Sequence, residues 1–172
     1  MEEKIHLVLV TGLSGAGKTT AMGIFEDMEY SCIDNYPVIL LEQFGELLKS
    51  SDEYSKIAMA VPLNDALNAI QILKNMDWID LSIVFLDCEN NVLLTRYKFT
   101  RRVHPLLISN KAHSLEEAIE FERAIAQPIA LNAHIVIDTT HLKKPKLQDR
   151  LETCFAQGEK RSFPYQFCFI WL

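Results

Sequence analysis

Cysteine is sparse and scattered in this chain of 172 residues: Cys32, Cys88, Cys154 and Cys168 form no C-x-x-C pair. A structural metal needs clustered ligands and a disulfide framework needs an oxidising compartment, so buried free thiols are the expectation. The histidines are dispersed as well, with no H-x-x-x-H. No apolar run approaches the roughly 20 residues of a membrane span. The opening M-E-E-K-I lacks the pattern of a signal peptide,. These absences predict a cytoplasmic protein with no membrane partner. An excess of positive charge is missing too. Lys and Arg number 17 against 23 Asp and Glu, for a net charge of −6, and outside Arg101–Arg102 and Lys143–Lys146 the cations lie apart. The basic face that usually marks a nucleic-acid binder is therefore not there. Repeats and low-complexity linkers are also lacking. The length suits one domain able to bury about 70% of its unfolded surface.

Against these absences stands one dense stretch, Val8 to Thr20, reading V-L-V-T-G-L-S-G-A-G-K-T-T. Gly12, Gly17, Lys18 and Thr19 fit G-x-x-x-x-G-K-[ST], the phosphate-binding loop. A polyphosphate must be wrapped by consecutive backbone N–H groups, and the chain approaches it closely only where side chains are missing. Gly12, Gly15 and Gly17 supply those gaps, and Leu13, Ser14 and Ala16 complete the loop. Lys18 would set a point charge between the β- and γ-phosphates, with the Thr19 hydroxyl as a ligand for Mg²⁺. A helix opening at about Gly17 would add free N–H groups and its positive dipole end.

The context agrees. Ile5 to Val10 reads as a buried parallel strand, and Ala21, Ile24, Phe25 and Met28 recur at helical spacing after the loop,. Further strands are expected at 30–33, 56–61, 81–86 and 135–137. Between them run helices: one from Pro37 with Leu40, Leu41, Phe44, Leu47 and Leu48 inward, one capped at Asn64 or Asp65, and one over 90–99. Val103 to His113, holding Pro105, reads as a loop. Ser114 with Glu117 forms a capping box for a helix carrying Leu115, Ala118, Ile119, Phe121 and Ile125, which Pro128 kinks or ends. Pro145 opens a last helix and Gly158 closes it. Strand and helix alternating throughout predict an α/β fold, a parallel sheet of about five strands with helices on both faces.

In such sheets ligands bind beyond the carboxyl ends of the strands. Three strands end there in aspartate: Asp34, Asp87 and Asp138. Ile83-Val84-Phe85-Leu86-Asp87 is the fullest match to four apolar residues and a Mg²⁺-holding acid, so Asp87 joins Thr19 as the metal pair, with Asp34 the alternative. Asp138, before Thr139-Thr140, is better read as a cap. Arg96, Arg101 and Arg102 follow the fourth strand, where small-molecule kinases keep a lid whose arginines reach the γ-phosphate. Helix-terminal dipole partners are the competing reading for each. His104 stays open between lid and turn.

Several segments taken together resemble the RapZ/YvcJ family of bacterial nucleotide-binding proteins. They are G-L-S-G-A-G-K-T-T, F-E-D-M-E-Y with I-D-N-Y-P, then F-L-D, R-Y-K-F-T-R-R-V-H-P-L and V-I-D-T-T, spread over about residues 5 to 140. The resemblance implies a P-loop, kinase-like domain that binds and slowly hydrolyses ATP and GTP, with Gly12 to Thr19 as the ATP site. The family's guanine motif, Asp-x-Arg-Asn/Ser after the third strand, has no counterpart: Pro62-Leu63-Asn64-Asp65 stands there. Such proteins continue into a second domain, linked in some members to RNA and amino-sugar regulation. Residues 1–160 are thus expected to form the nucleotide domain and 161–172 the junction, with Cys168 in place of its glycine and the second domain absent. RNA binding is not expected of this chain. Phe163, Tyr165, Phe167, Phe169 and Trp171 alternate along a strand-like end, so association into a homo-oligomer stays open.

Three functional classes follow: a nucleotide-binding regulator with weak Mg²⁺-dependent ATPase or GTPase activity, a small-molecule kinase passing the γ-phosphate to a hydroxyl, or an inactive remnant. Lys18, Asp87, Arg101 and Arg102 are the candidate catalytic residues. In the kinase case Asp34 would be the base.

Overall fold

The computed structural model describes residues 4–155. Five parallel strands make one sheet: β1 (Ile5–Gly12), β2 (Ser31–Asp34), β3 (Lys56–Ala60), β4 (Ile79–Asp87) and β5 (Ile135–Asp138), in the order β2-β3-β1-β4-β5. The central strand β1 is a run of apolar residues because both of its faces are covered, and Leu7, Val8, Leu9 and Val10 are fully buried,. It pairs with β4 from Ile5↔Ile79 through Gly12↔Leu86, so the loop leaving β1 starts level with the end of β4. At the edge, β2 is short and mostly exposed.

Among the described residues, six α-helices lie between the strands and a seventh follows β5: α1 (Lys18–Asp27), α2 (Leu41–Lys49), α3 (Leu63–Lys74), α4 (Asn90–Phe99), α5 (Pro105–Ile108), α6 (Leu115–Asn132) and α7 (Lys144–Phe155). The α/β alternation predicted from sequence is the fold observed.

Local departures have local causes. Pro37 opens a 3₁₀ turn over Val38–Leu40, and that turn resets the phase of α2. The buried stripe becomes Val38, Leu41, Gly45 and Leu48, while Leu40 and Leu47, expected inward, are exposed. Asn64 and Asp65 lie inside α3, whose cap residue is Pro62. Residues 103–113 are not all loop, since α5 forms within them. The capping box holds in part: Ser114 accepts from the Glu117 N–H, but the Glu117 carboxylate takes the His113 N–H. Pro128 does not end α6, which runs four residues further to Asn132. Cys88 is buried as expected, but Cys32 is exposed on edge strand β2. Gly158, Cys168 and the alternating aromatics of 163–171 lie outside the described residues, as does the junction at 161–172. Among the described residues, no helix is long and apolar enough to cross a membrane.

Candidate functional site

The site is built on the turn between β1 and α1. Gly12, Gly15 and Gly17 all have positive φ, at 146°, 86° and 113°. At Gly12 the reason is packing, because a Cβ there would fall 2.2 Å from the Leu86 carbonyl oxygen. At Gly17 a Cβ would meet nothing within 4 Å, so this glycine faces open space and its absence of a side chain keeps that space clear.

The loop sorts its polar groups. Its carbonyls are engaged on the protein side. Gly12 and Leu13 accept from the Lys18 ammonium at 2.8 and 3.2 Å, and Gly15 accepts from Arg96 at 3.0 Å. Ala16 accepts from the Thr139 hydroxyl at 2.6 Å. Its amides are the reverse. The N–H groups of Gly15, Gly17, Lys18 and Thr19 meet no acceptor among the described residues. Inward amides with outward carbonyls make an anion-binding concavity, and the first turn of α1 adds its dipole end.

Lys18 keeps part of its surface exposed, but its ammonium is enclosed. Burial, the largest influence, pulls that ammonium below the ordinary lysine pKa, and the charges of Glu122 and then Asp34 oppose the pull. Thr19 is exposed and its hydroxyl makes no hydrogen bond among the described residues. No group of three or more His, Cys, Asp and Glu suited to a metal occurs among them. The exposed Thr19 hydroxyl is a hard oxygen donor of the kind Mg²⁺ takes singly alongside phosphates and water,.

Asp34 ends the edge strand exposed, with no hydrogen bond or ion pair among the described residues, and its charge reaches Lys18. Asp87 is engaged elsewhere. Its carboxylate takes Arg123 at 2.7 Å and the Cys88 N–H at 2.7 Å. It lines a cavity of about 330 Å³ with Asn90, Arg123 and Asp138, to which no residue of the loop contributes. Asp138 turns back on Thr140, accepting from its N–H at 2.9 Å and its hydroxyl at 2.5 Å.

The arginines part company. Arg96 spans from Gly15 to Thr139, donating to the Thr139 carbonyl at 2.6 Å, and so holds the loop from behind. Arg101 and Arg102 are exposed beyond the end of α4. His104 is neither loose nor exposed. It is fully buried and caps α5 by accepting the Leu106 N–H on Nδ1 at 3.1 Å.

Sequence reading missed the roles of Thr139 and Arg123, and it missed Glu122 altogether. The Glu122 carboxylate accepts the Ser14 N–H at 2.8 Å and the Ser14 hydroxyl at 2.6 Å. Its side chain is 8% exposed, and His104 Nε2 lies 3.5 Å away. Burial by itself would push this carboxyl up, but hydrogen bonding from His104 and Ser14 more than offsets it and holds it below the ordinary glutamate value. At 3.5 Å the histidine contact is too long for a full hydrogen bond, so Ser14 is the firmer partner,. A signal was available. Ala118, Ile119, Ala126 and Ile129 form the buried stripe of α6, and Glu122 is a charge on that stripe,. Phe121, one of the apolar residues marking this helix in the sequence, is exposed.

With the geometry in hand, the match to known proteins is decisive for family. Residues 5–159 fit the family described as the RapZ-like N-terminal domain. The chain belongs to that family. Among curated relatives, a nucleotide-binding protein of Lacticaseibacillus casei (strain BL23) is 41% identical over 164 residues, 92% of this chain and 55% of the relative. One from Bacillus pumilus is 37% identical over 169 residues, 94% of this chain and 56% of the relative. The chain thus spans about half the length of the curated relatives it matches. Among solved structures, shikimate kinase from Acinetobacter baumannii in complex with shikimate superposes with a TM-score of 0.62 at 18% identity, covering 92% of this chain and 97% of that one. A gluconokinase from Sinorhizobium meliloti gives 0.55 at 15%, covering 91% and 98%. At those identities they show the fold, a P-loop kinase-like α/β domain.

Proposed function

We infer that this RapZ-like domain binds a Mg²⁺-complexed nucleoside triphosphate on Gly12 to Thr19, hydrolyses it slowly, and uses its occupancy as a regulatory signal in the cytoplasm. The observation that carries the reading is the sorting of the loop, four amides without an acceptor among the described residues and the carbonyls tied behind them. The relatives' description as nucleotide-binding proteins supports it. Lys18 leaves its carbonyls for the terminal phosphates, and Thr19 takes the metal. Of the two acids, Asp34 has the better claim to complete the metal site, because it is uncommitted and its field reaches Lys18, whereas Asp87 is engaged by Arg123. Arg101 and Arg102 are free to fold over the γ-phosphate.

One observation favours a second reading, a small-molecule kinase using ATP: Asp34 is exposed at the end of edge strand β2 with its charge felt at Lys18, and an exposed carboxylate there could serve as base for an acceptor hydroxyl,. Titration calorimetry with ATP, GTP and ADP, with and without Mg²⁺, tests the binding. Lys18→Ala should weaken triphosphate more than diphosphate and abolish hydrolysis. Equal ATP affinity in wild type and variant would overturn the site. Hydrolysis with no acceptor present supports the regulator, whereas a metabolite that is phosphorylated and speeds ADP release supports the kinase.

A further inference from the structure

An anion-binding loop with a carboxylate built into its rim is an electrostatic contradiction that the binding reading leaves unexplained. Glu122 holds both donors of Ser14, the residue just before Gly15, at 2.8 and 2.6 Å. It is also the foremost carboxylate acting on Lys18, ahead of Asp34. Its charge is kept in place from the far side. Because His104 Nδ1 accepts the Leu106 N–H, the neutral ring carries its proton on Nε2, and that buried nitrogen has no hydrogen-bond partner among the described residues and faces Glu122,. Little water reaches the group to screen it, so its field acts on whatever the loop holds,. An incoming terminal phosphate on the loop meets the field of Glu122 and is repelled by it, more strongly the more charge it carries,.

We propose that Glu122 is a specificity-determining residue, a fixed anion that lowers the loop's affinity in proportion to the phosphate charge of the nucleotide. Its consequence is a narrowed preference for triphosphate over diphosphate, which favours exchange over tight capture. The inference rests on nucleotide binding at the loop.

Glu122→Gln isolates the charge. With the amide oxygen at the Oε2 position it still accepts the Ser14 N–H and faces His104. The amide NH₂ then donates to the Ser14 hydroxyl oxygen. The test is calorimetry on the full chain with ATP and ADP, in EDTA and in Mg²⁺. The variant should bind ATP at least about threefold tighter, ADP less so, with Mg²⁺ shrinking the difference as it neutralises phosphate charge. A damaged support would weaken binding, so a gain of affinity separates charge from scaffolding. Unchanged affinities, or equal weakening for both nucleotides, would overturn the proposal. If Glu122→Gln does not fold, Glu122→Asp draws the carboxylate back by one methylene and should move the ATP-to-ADP ratio the same way by less. An unmoved ratio there would be equally fatal. A wild type that binds neither nucleotide would overturn the nucleotide reading itself, an outcome distinct from a variant that binds as wild type does.

Discussion

Lys18, Asp34 and Asp87 divide the chemistry at the residue scale by how committed each already is. Lys18 is bound to the loop's own carbonyls at 2.8 and 3.2 Å, so a phosphate bound there would replace partners it already has and need not order a free side chain. Asp34 has no hydrogen bond or ion pair among the described residues, and Asp87 is in an ion pair with Arg123 at 2.7 Å. Asp34→Asn is therefore expected to abolish the Mg²⁺-dependent tightening of ATP binding with little change in melting temperature. Asp87→Asn should instead cost about 1 kcal/mol of stability, since the pair is partly exposed, and leave the metal dependence intact. Thermal melts and Mg²⁺ titrations on the two variants check this, and the opposite assignment would return Asp87 to the metal. Glu122 gives a pH signature. Its folded pKa lies below the ordinary 4.5, so its contribution is fully present above that value and is lost as pH falls through the folded pKa,. Wild type should exceed Glu122→Gln in stability by about 1–2 kcal/mol at pH 7, from charge-assisted hydrogen bonds, and the two should converge as pH falls through the lowered folded pKa of Glu122,. Chemical denaturation across that range reads it directly.

The element that matters most is the turn from β1 into α1, where two glycines serve different ends. Gly12 is pressed against the Leu86 backbone, and Gly17 faces open space. Gly12→Ala should destabilise the whole domain by about 3 kcal/mol or more, through steric overlap in the sheet. Gly17→Ala meets no neighbour. It is expected to cost about 1–2 kcal/mol from its φ of 113°, and to abolish nucleotide binding by filling the concavity,. Melting temperature and ATP titration on both variants distinguish the two roles. Thr139 supports the same element from just beyond β5 by bonding Ala16, and Thr139→Val should weaken ATP binding severalfold, measured by calorimetry, while the sheet persists,.

At the scale of the whole molecule, the strand order β2-β3-β1-β4-β5 puts the loop in the middle of the sheet and sends the α4–α5–α6 excursion back over it. Leu106 of α5 is buried on a small cluster with Ala112 and Ala118, which ties the segment that follows Arg101 and Arg102 to α6. Residues 100–113 should therefore lose backbone amide exchange when ATP with Mg²⁺ is bound, and Arg101→Ala with Arg102→Ala should remove that protection; hydrogen exchange by mass spectrometry measures it. Much of this architecture was legible in the chain. Local spacing determined the phosphate loop, because consecutive amides can wrap phosphate only in one pattern of small residues. Apolar runs marked β1 and β4 and the alternation with helices, because strands buried on both faces must be apolar, whereas edge strand β2 is short and mostly exposed,. Other features depended on which distant side chains meet. Arg96 and Thr139 lie 43 positions apart, and Ser14 and Glu122 lie 108 apart, and nothing in either segment's local pattern names its partner. Even the commitment of Asp87 to Arg123 depends on α6 folding back across the end of β4. Backbone periodicity is written residue by residue, whereas a carboxylate's role depends on the charges that the finished fold sets around it.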